Sequence, residues 1–91
     1  PTGPTRPPQI AVCAPSDASP DVLALAEAVG QAVARRGCTL VCGGLGGGMR
    51  AACKGAKEAG GATLGIIPGY DAVAANPWVD HVVCTGLGQA R

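Results

Sequence analysis

Five of the six residues in Gly43-Gly44-Leu45-Gly46-Gly47-Gly48 are glycine, and the stretch lies between an apolar strand and an amphipathic helix. Before it, Cys38-Thr39-Leu40-Val41-Cys42 carries no charge and reads as a buried parallel strand. After it, Met49, Cys53, Ala56 and Gly60 fall on one helical face, with Arg50, Lys54, Lys57 and Glu58 opposite. A chain that leaves a buried strand through glycines and enters a helix points the unpaired amides of the first turn outward. The helix dipole adds about half a positive charge there. Such a βα corner holds phosphate or another anion, and the missing Cβ atoms let a ligand close on the backbone. A purely structural turn is the competing reading. Glycine costs conformational entropy on folding, so five in six positions favour a ligand.

The turn excludes two familiar chemistries. No Lys-Ser/Thr pair follows the glycines, so it is not an ATP-hydrolysing P-loop. The dinucleotide fingerprint is met only loosely, as Gly46-Gly47-Gly48-Met49-Arg50-Ala51, and it follows the second strand where that motif belongs after the first. NAD binding is therefore disfavoured.

Ninety-one residues make one small domain. Alanine is the commonest apolar residue and phenylalanine is absent, so the core depends on close packing of small side chains. A thin core points to help from a partner subunit or from sequence beyond these residues. Net charge is +1, with 14% of residues charged and 2% aromatic, so there is neither a basic patch nor a set of stacking platforms for nucleic acid. No apolar run approaches the roughly 18 residues a membrane span needs, and no signal-peptide pattern is seen. Cys13, Cys38, Cys42, Cys53 and Cys84 are odd in number, contain no CxxC pair and sit in apolar surroundings. They read as reduced, buried small hydrophobes, with the cytoplasm as the natural home.

In chain order, residues 1–8 are a proline-rich tail expected to be disordered or extended. Residues 9–14 form strand one. Pro15–Ser19 is a turn ending in Ser19 as N-cap, with Pro20 and Asp21 in the first turn of a helix whose inner face is Val22, Ala26, Val29 and Val33. Arg35, Arg36 and Gly37 close it. Strand two, the glycine turn and helix two follow. Gly55 in mid-helix implies a very close neighbour, because it otherwise costs about 1 kcal/mol against alanine. Strand three is residues 62–67, a loop runs from Tyr70 to Trp78, strand four is residues 79–84, and Thr85 looks like the cap of a further helix. This order predicts an α/β fold, a Rossmann-like three-layer parallel sheet with helices on both faces. Ligands of such sheets sit beyond the carboxyl ends of the strands. Three loops reach that edge: Pro15–Ser19, Gly43–Gly48 and Pro68–Tyr70.

Residues 41–61 followed by Gly65-Ile66-Ile67-Pro68-Gly69 resemble the Rossmann-like LOG superfamily, long labelled "possible lysine decarboxylase". Ala75-Asn76-Pro77-Trp78-Val79-Asp80 and Thr85-Gly86-Leu87-Gly88-Gln89-Ala90-Arg91 look like its branch containing the molybdenum cofactor carrier proteins. The resemblance spans residues 9–91. It implies a fold that binds a nucleotide monophosphate or the phosphate of a molybdenum cofactor and is usually dimeric. Some members are phosphoribohydrolases that cut the N-glycosidic bond of cytokinin nucleoside monophosphates. Carried over by motif, Ser16 matches the first-loop serine, and Gly43, Gly44, Gly46, Gly47 and Gly48, leading into Met49, match the first glycine loop. Arg91 falls where the hydrolases place an arginine that acts with a glutamate. That glutamate belongs to a Pro-Gly-Gly-x-Gly-Thr-x-x-Glu signature downstream of residue 91. The chain therefore resembles an N-terminal half, and strand one is expected as a bare edge that a partner chain or further sequence covers.

Other polar residues read more simply. His81 stands alone on an edge strand, Asp71 suits a turn, Arg50 serves a phosphate or a solvated helix face, and Asp17 caps the first helix. Glycoside cleavage needs a positioned carboxyl group, and nothing in the spacing makes Asp17 and Asp71 converge. Three readings follow: a binding module for a phosphate-bearing nucleotide or pterin-type ligand, part of a nucleoside-monophosphate hydrolase, or a piece without activity of its own.

Overall fold

The computed structural model describes residues 8–88. Its elements are β1 (Gln9–Ala11), α1 (Pro20–Arg35), β2 (Thr39–Cys42), α2 (Gly48–Glu58), β3 (Thr63–Ile67), a 3-10 turn (Ala72–Ala74) and β4 (His81–Cys84). The four strands form one parallel sheet in the order β1-β2-β3-β4. The alternation of elements thus gives the expected Rossmann-like parallel α/β sheet. Successive right-handed crossovers that step in one direction deliver their helices to one side. Accordingly α1 and α2 pack on each other and both meet β2. The opposite face carries no helix among the described residues. The register places Ala11, Val41, Leu64, Ile66 and Val83 on that face, with Val83 45% exposed. Most of the expected tail, residues 1–7, lies outside the described residues.

Local chemistry explains the element ends. β1 is shorter than residues 9–14: its ladder continues one step, Val12 N–H donating to Val41 O at 2.8 Å, and then reaches Pro15. β4 starts at His81 because the amides of Val79 and Asp80 turn away to Asn76 O and Thr63 O. Ser19 caps α1 as expected, its hydroxyl accepting from Val22 N, while Asp17 stays exposed and leaves the cap to Ser19. Thr85 closes a local turn, bonding Ile67 O through its hydroxyl and accepting from Leu87 N.

The core lies between the helix pair and β2, with Leu40, Ala52, Cys53 and Ala56 fully buried. The buried line on α1 is Ala26, Gly30 and Val33, whereas Val22 and Val29 are each 38% exposed. Ala26 and Val33 of the expected face are thus buried, and Gly30 replaces Val22 and Val29 because α1 contacts α2 backbone to backbone. A Cβ on Gly30 would overlap the Ala52 carbonyl oxygen, and one on Gly55 would overlap the Glu27 carbonyl oxygen. The close approach inferred from Gly55 is therefore present, and Gly30 supplies its other half.

At the amino end of β3 a polar knot joins α2 to the β3–β4 loop. Asp80 accepts from Thr63 N and takes Lys57 on both carboxylate oxygens, at 2.9 and 3.0 Å. Buried Thr63 donates to Trp78 O and accepts from Asp80 N. Burial acts to raise the Asp80 pKa, but Lys57 and the Thr63 amide outweigh it and hold the group below its ordinary value. A carboxyl depressed in the folded state adds stability that is present above its unfolded pKa and lost as pH falls through the folded pKa. Acid unfolding followed by circular dichroism should therefore show the stability gap between wild type and Asp80→Asn closing as pH drops below the ordinary aspartate range. The gap should also shrink in high salt, since the pair is about one-third exposed. A gap independent of pH would show that the ion pair contributes nothing.

Candidate functional site

The glycine turn is held from three sides. From the β1–α1 loop, Pro15 O accepts from Gly48 N at 2.8 Å, and the Ser16 carbonyl lies where a Gly47 Cβ would be. From below, a Cβ on Gly44 would stand 2.7 Å from Ile67 Cγ2. From the β3–β4 loop, Asn76 donates through its backbone N–H to Gly44 O and through Nδ2 to both Gly44 O and Leu45 O, at 2.8, 3.3 and 2.8 Å. Asn76 Oδ1 in turn accepts from Trp78 N, and the residue is only 8% exposed.

These contacts account for three of the five glycines without a ligand. Gly44 and Gly47 have φ of 78° and 64°, a region costly for other residues, and Gly48 abuts the Ala14 methyl. Gly46 differs: it is exposed, and nothing lies within 4 Å of a Cβ placed there. The outward display of amides is partial for the same reason. Gly44 N donates to Cys42 Sγ at 3.3 Å and Gly48 N to Pro15 O, so both are used internally. Among the described residues no acceptor meets the amides of Gly46, Gly47, Met49 or Arg50. These lie at the start of α2, whose N-cap is Gly47 and whose first turn carries no acidic residue to offset the dipole.

A cleft of about 370 Å³ opens at the carboxyl ends of the strands, lined by residues 11–14, residues 41–43, Met49 and Ile66. A second groove, of about 560 Å³, runs between α1 and α2 past Gly47, Arg50 and Lys54 to Trp78, whose Nε1 is buried without an acceptor among the described residues. Of the residues singled out in the sequence, Gly43 and Met49 line the cleft and Gly47 lines the groove. Ser16 meets the turn only through its carbonyl. The Pro68–Tyr70 loop is not among the cleft walls. Its Pro68 and Gly69 carbonyls bind Gly88 N and Gly86 N, and Tyr70 is 87% exposed. Asp71 caps the 3-10 turn through Val73 N, His81 is exposed on β4, and Arg91 lies outside the described residues.

Asn76 is the residue that sequence reasoning missed. A loop asparagine before proline signals a turn, and nothing in the spacing says that it reaches back 31 residues to Leu45 O. Of the five cysteines expected to be buried small hydrophobes, only Cys42 and Cys53 are buried; Cys38 is partly exposed, and Cys13 and Cys84 are exposed because they lie just beyond the short β1 and at the end of edge strand β4. Cys42 and Cys53 also touch, Sγ to Sγ, at 3.2 Å. The hydrogen bond to Cys42, then burial, holds the Cys53 thiol far above the usual thiol range.

The model of the SLOG cluster4 family matches residues 7–91. The chain belongs to that family. Among solved structures, this SLOG chain is similar to the molybdenum cofactor binding protein of Rippkaea orientalis, with a TM-score of 0.92 and 40% identity over 97% of this chain and 55% of that one. It is also similar to the Moco carrier protein of Chlamydomonas reinhardtii, with a TM-score of 0.82 and 40% identity over 94% of this chain and 54% of that one. A protein of Archaeoglobus fulgidus is 36% identical over 83 residues, covering 91% of this chain and 54% of the relative. The SLOG chain thus spans about half the length of the relatives it matches. The kinship expected from residues 41–61 and 75–80 is the kinship found. No helix among the described residues is long and apolar enough to cross a membrane.

Proposed function

We propose that this chain binds a phosphate-bearing small molecule, a nucleotide or a pterin cofactor of the molybdenum cofactor class, at the glycine turn. The observation that carries the reading is the juxtaposition of unpaired amides at the start of α2 with the apolar cleft at the strand ends. An anion would sit against the amides of Gly46, Gly47, Met49 and Arg50, with the Arg50 guanidinium beside it. A flat ring system would lie along residues 11–14 and Val41, in contact with Met49. The cofactor named for the Rippkaea and Chlamydomonas relatives belongs to the ligand class this arrangement suits. The cleft walls offer small apolar and sulfur-bearing groups, which hold a ligand and do not transfer protons to a glycosidic oxygen. Binding is therefore preferred to hydrolysis.

Gly46 provides the test, because it alone among the turn glycines characterised by their surroundings has room for a side chain. Equilibrium binding of AMP, and of molybdenum cofactor released from a molybdoenzyme, should be about tenfold weaker in Gly46→Val, equivalent to roughly 1.4 kcal/mol, with an unchanged thermal melt. Equal affinity in the variant and the wild type would remove the turn from the site.

A further inference from the structure

We infer that Cys42 and Cys53 form a reversible disulfide site at the base of the glycine turn, with Cys42 as the reacting thiol and Cys53 as the resolving one. The two sulfurs are 3.2 Å apart, and a disulfide requires about 2.05 Å, so side-chain rotation and a local shift of about 1.1 Å would join them. The partners differ in environment. Cys42 Sγ accepts from Gly44 N at 3.3 Å and lies 3.2 Å from Cys53 Sγ, so a backbone donor and a second sulfur both face it. Cys42, 6% exposed, lines the cleft, whereas Cys53 is fully buried on α2 behind it and retains its proton. The cleft-lining position and the backbone donor thus fall on one sulfur, and a proton-bearing partner lies in contact with it.

The oxidant class is a small hydroperoxide. The Cys42 thiolate attacks one peroxide oxygen, the O–O bond breaks, and the leaving hydroxide takes a proton to become water. The resulting sulfenic acid is attacked by Cys53 sulfur, which loses its proton as the sulfenic oxygen departs as a second water. Two thiols and one hydrogen peroxide give one disulfide and two waters, with two electrons passing from sulfur to oxygen. In a reducing compartment the pair rests as a dithiol. The bond would tie the end of β2 to α2 across Gly43–Gly48, so oxidation acts on the turn itself. Cys13 and Cys84 are exposed and Cys38 is partly exposed. Cys38 Sγ donates to Arg36 O at 3.7 Å, and among the described residues none of the three lies against another thiol.

The experiment uses a Cys13→Ala/Cys38→Ala/Cys84→Ala variant, which leaves the core pair alone, treated with hydrogen peroxide and followed by intact mass and peptide mapping. The expected result is the loss of two hydrogens per chain, a linked peptide pair containing Cys42 and Cys53, and full reversal by dithiothreitol. Wild type should give the same linked pair. A further Cys53→Ala change should convert the product to a Cys42 sulfenic acid trapped by dimedone. Unchanged mass under peroxide, dimedone labelling on Cys53 in a Cys42→Ala variant instead, or a bond between chains would each overturn the inference. All of these readouts are independent of what the cleft binds.

Discussion

Replacing Gly30 by alanine is expected to lower the unfolding free energy by about 3 kcal/mol or more. Helix propensity alone argues the opposite sign, since alanine gains about 1 kcal/mol over glycine in a helix interior. Geometry decides the outcome. The added Cβ would overlap the Ala52 carbonyl oxygen and sit 3.0 Å from Ala56 N, both backbone atoms of α2, so no side chain can swing aside. Relief requires α1 and α2 to separate, and that separation opens the layer of Ala26, Val33, Ala52, Cys53 and Ala56 that forms most of the core. A core of small side chains has few spare contacts, so the loss is not absorbed elsewhere. Gly55→Ala should behave alike, through the Glu27 carbonyl. Urea unfolding of both variants checks this. A Gly30→Ala protein as stable as wild type would contradict the observed approach of the helices.

Asn76→Ala should cost about 2–4 kcal/mol and loosen the glycine turn. The side chain makes three hydrogen bonds, to Gly44 O, Leu45 O and Trp78 N, in an 8% exposed position. Each ordinary bond contributes only about 1 kcal/mol net, but leaving a buried carbonyl without its donor costs about 1–3 kcal/mol. The second reading of the variant is functional. With the clamp gone, Gly44 and Leu45 are held only by the Asn76 backbone N–H and by the sulfur and strand contacts below. Ligand binding should then fall by more than the change in Gly46→Val. Amide hydrogen exchange over residues 43–48 measures the loosening directly. Exchange unchanged from wild type would show that Asn76 is not the clamp.

The sequence and structure agree where a residue's role is local. The strand and helix order follows from uncharged runs and helical spacing, and the Ser19 cap follows from Ser-Pro-Asp. Glycine in mid-helix at position 55 reports a close neighbour because few other reasons put glycine there. Agreement weakens where the partner is remote in sequence. The inner face of α1 is half legible: Ala26 and Val33 are buried as the periodicity expects, but it also weighs Val22 and Val29, whereas the backbone groove selects Gly30. The glycine turn is richer in structural demand than its composition suggests, since Gly44, Gly47 and Gly48 answer to Ile67, Ser16 and Ala14. Asn76 and the Cys42–Cys53 contact are pairings across the fold, and no spacing rule encodes them.

The most direct test of the account is a ¹H–¹⁵N correlation titration with AMP, read at the amides of Gly46, Gly47, Met49 and Arg50. Saturable shifts are expected on those four amides and on cleft residues 11–14, while Gly44 and Gly48, whose amides are already bonded, move less. Saturable shifts centred elsewhere, or none at these amides with AMP in large excess, would contradict a ligand site at the glycine turn.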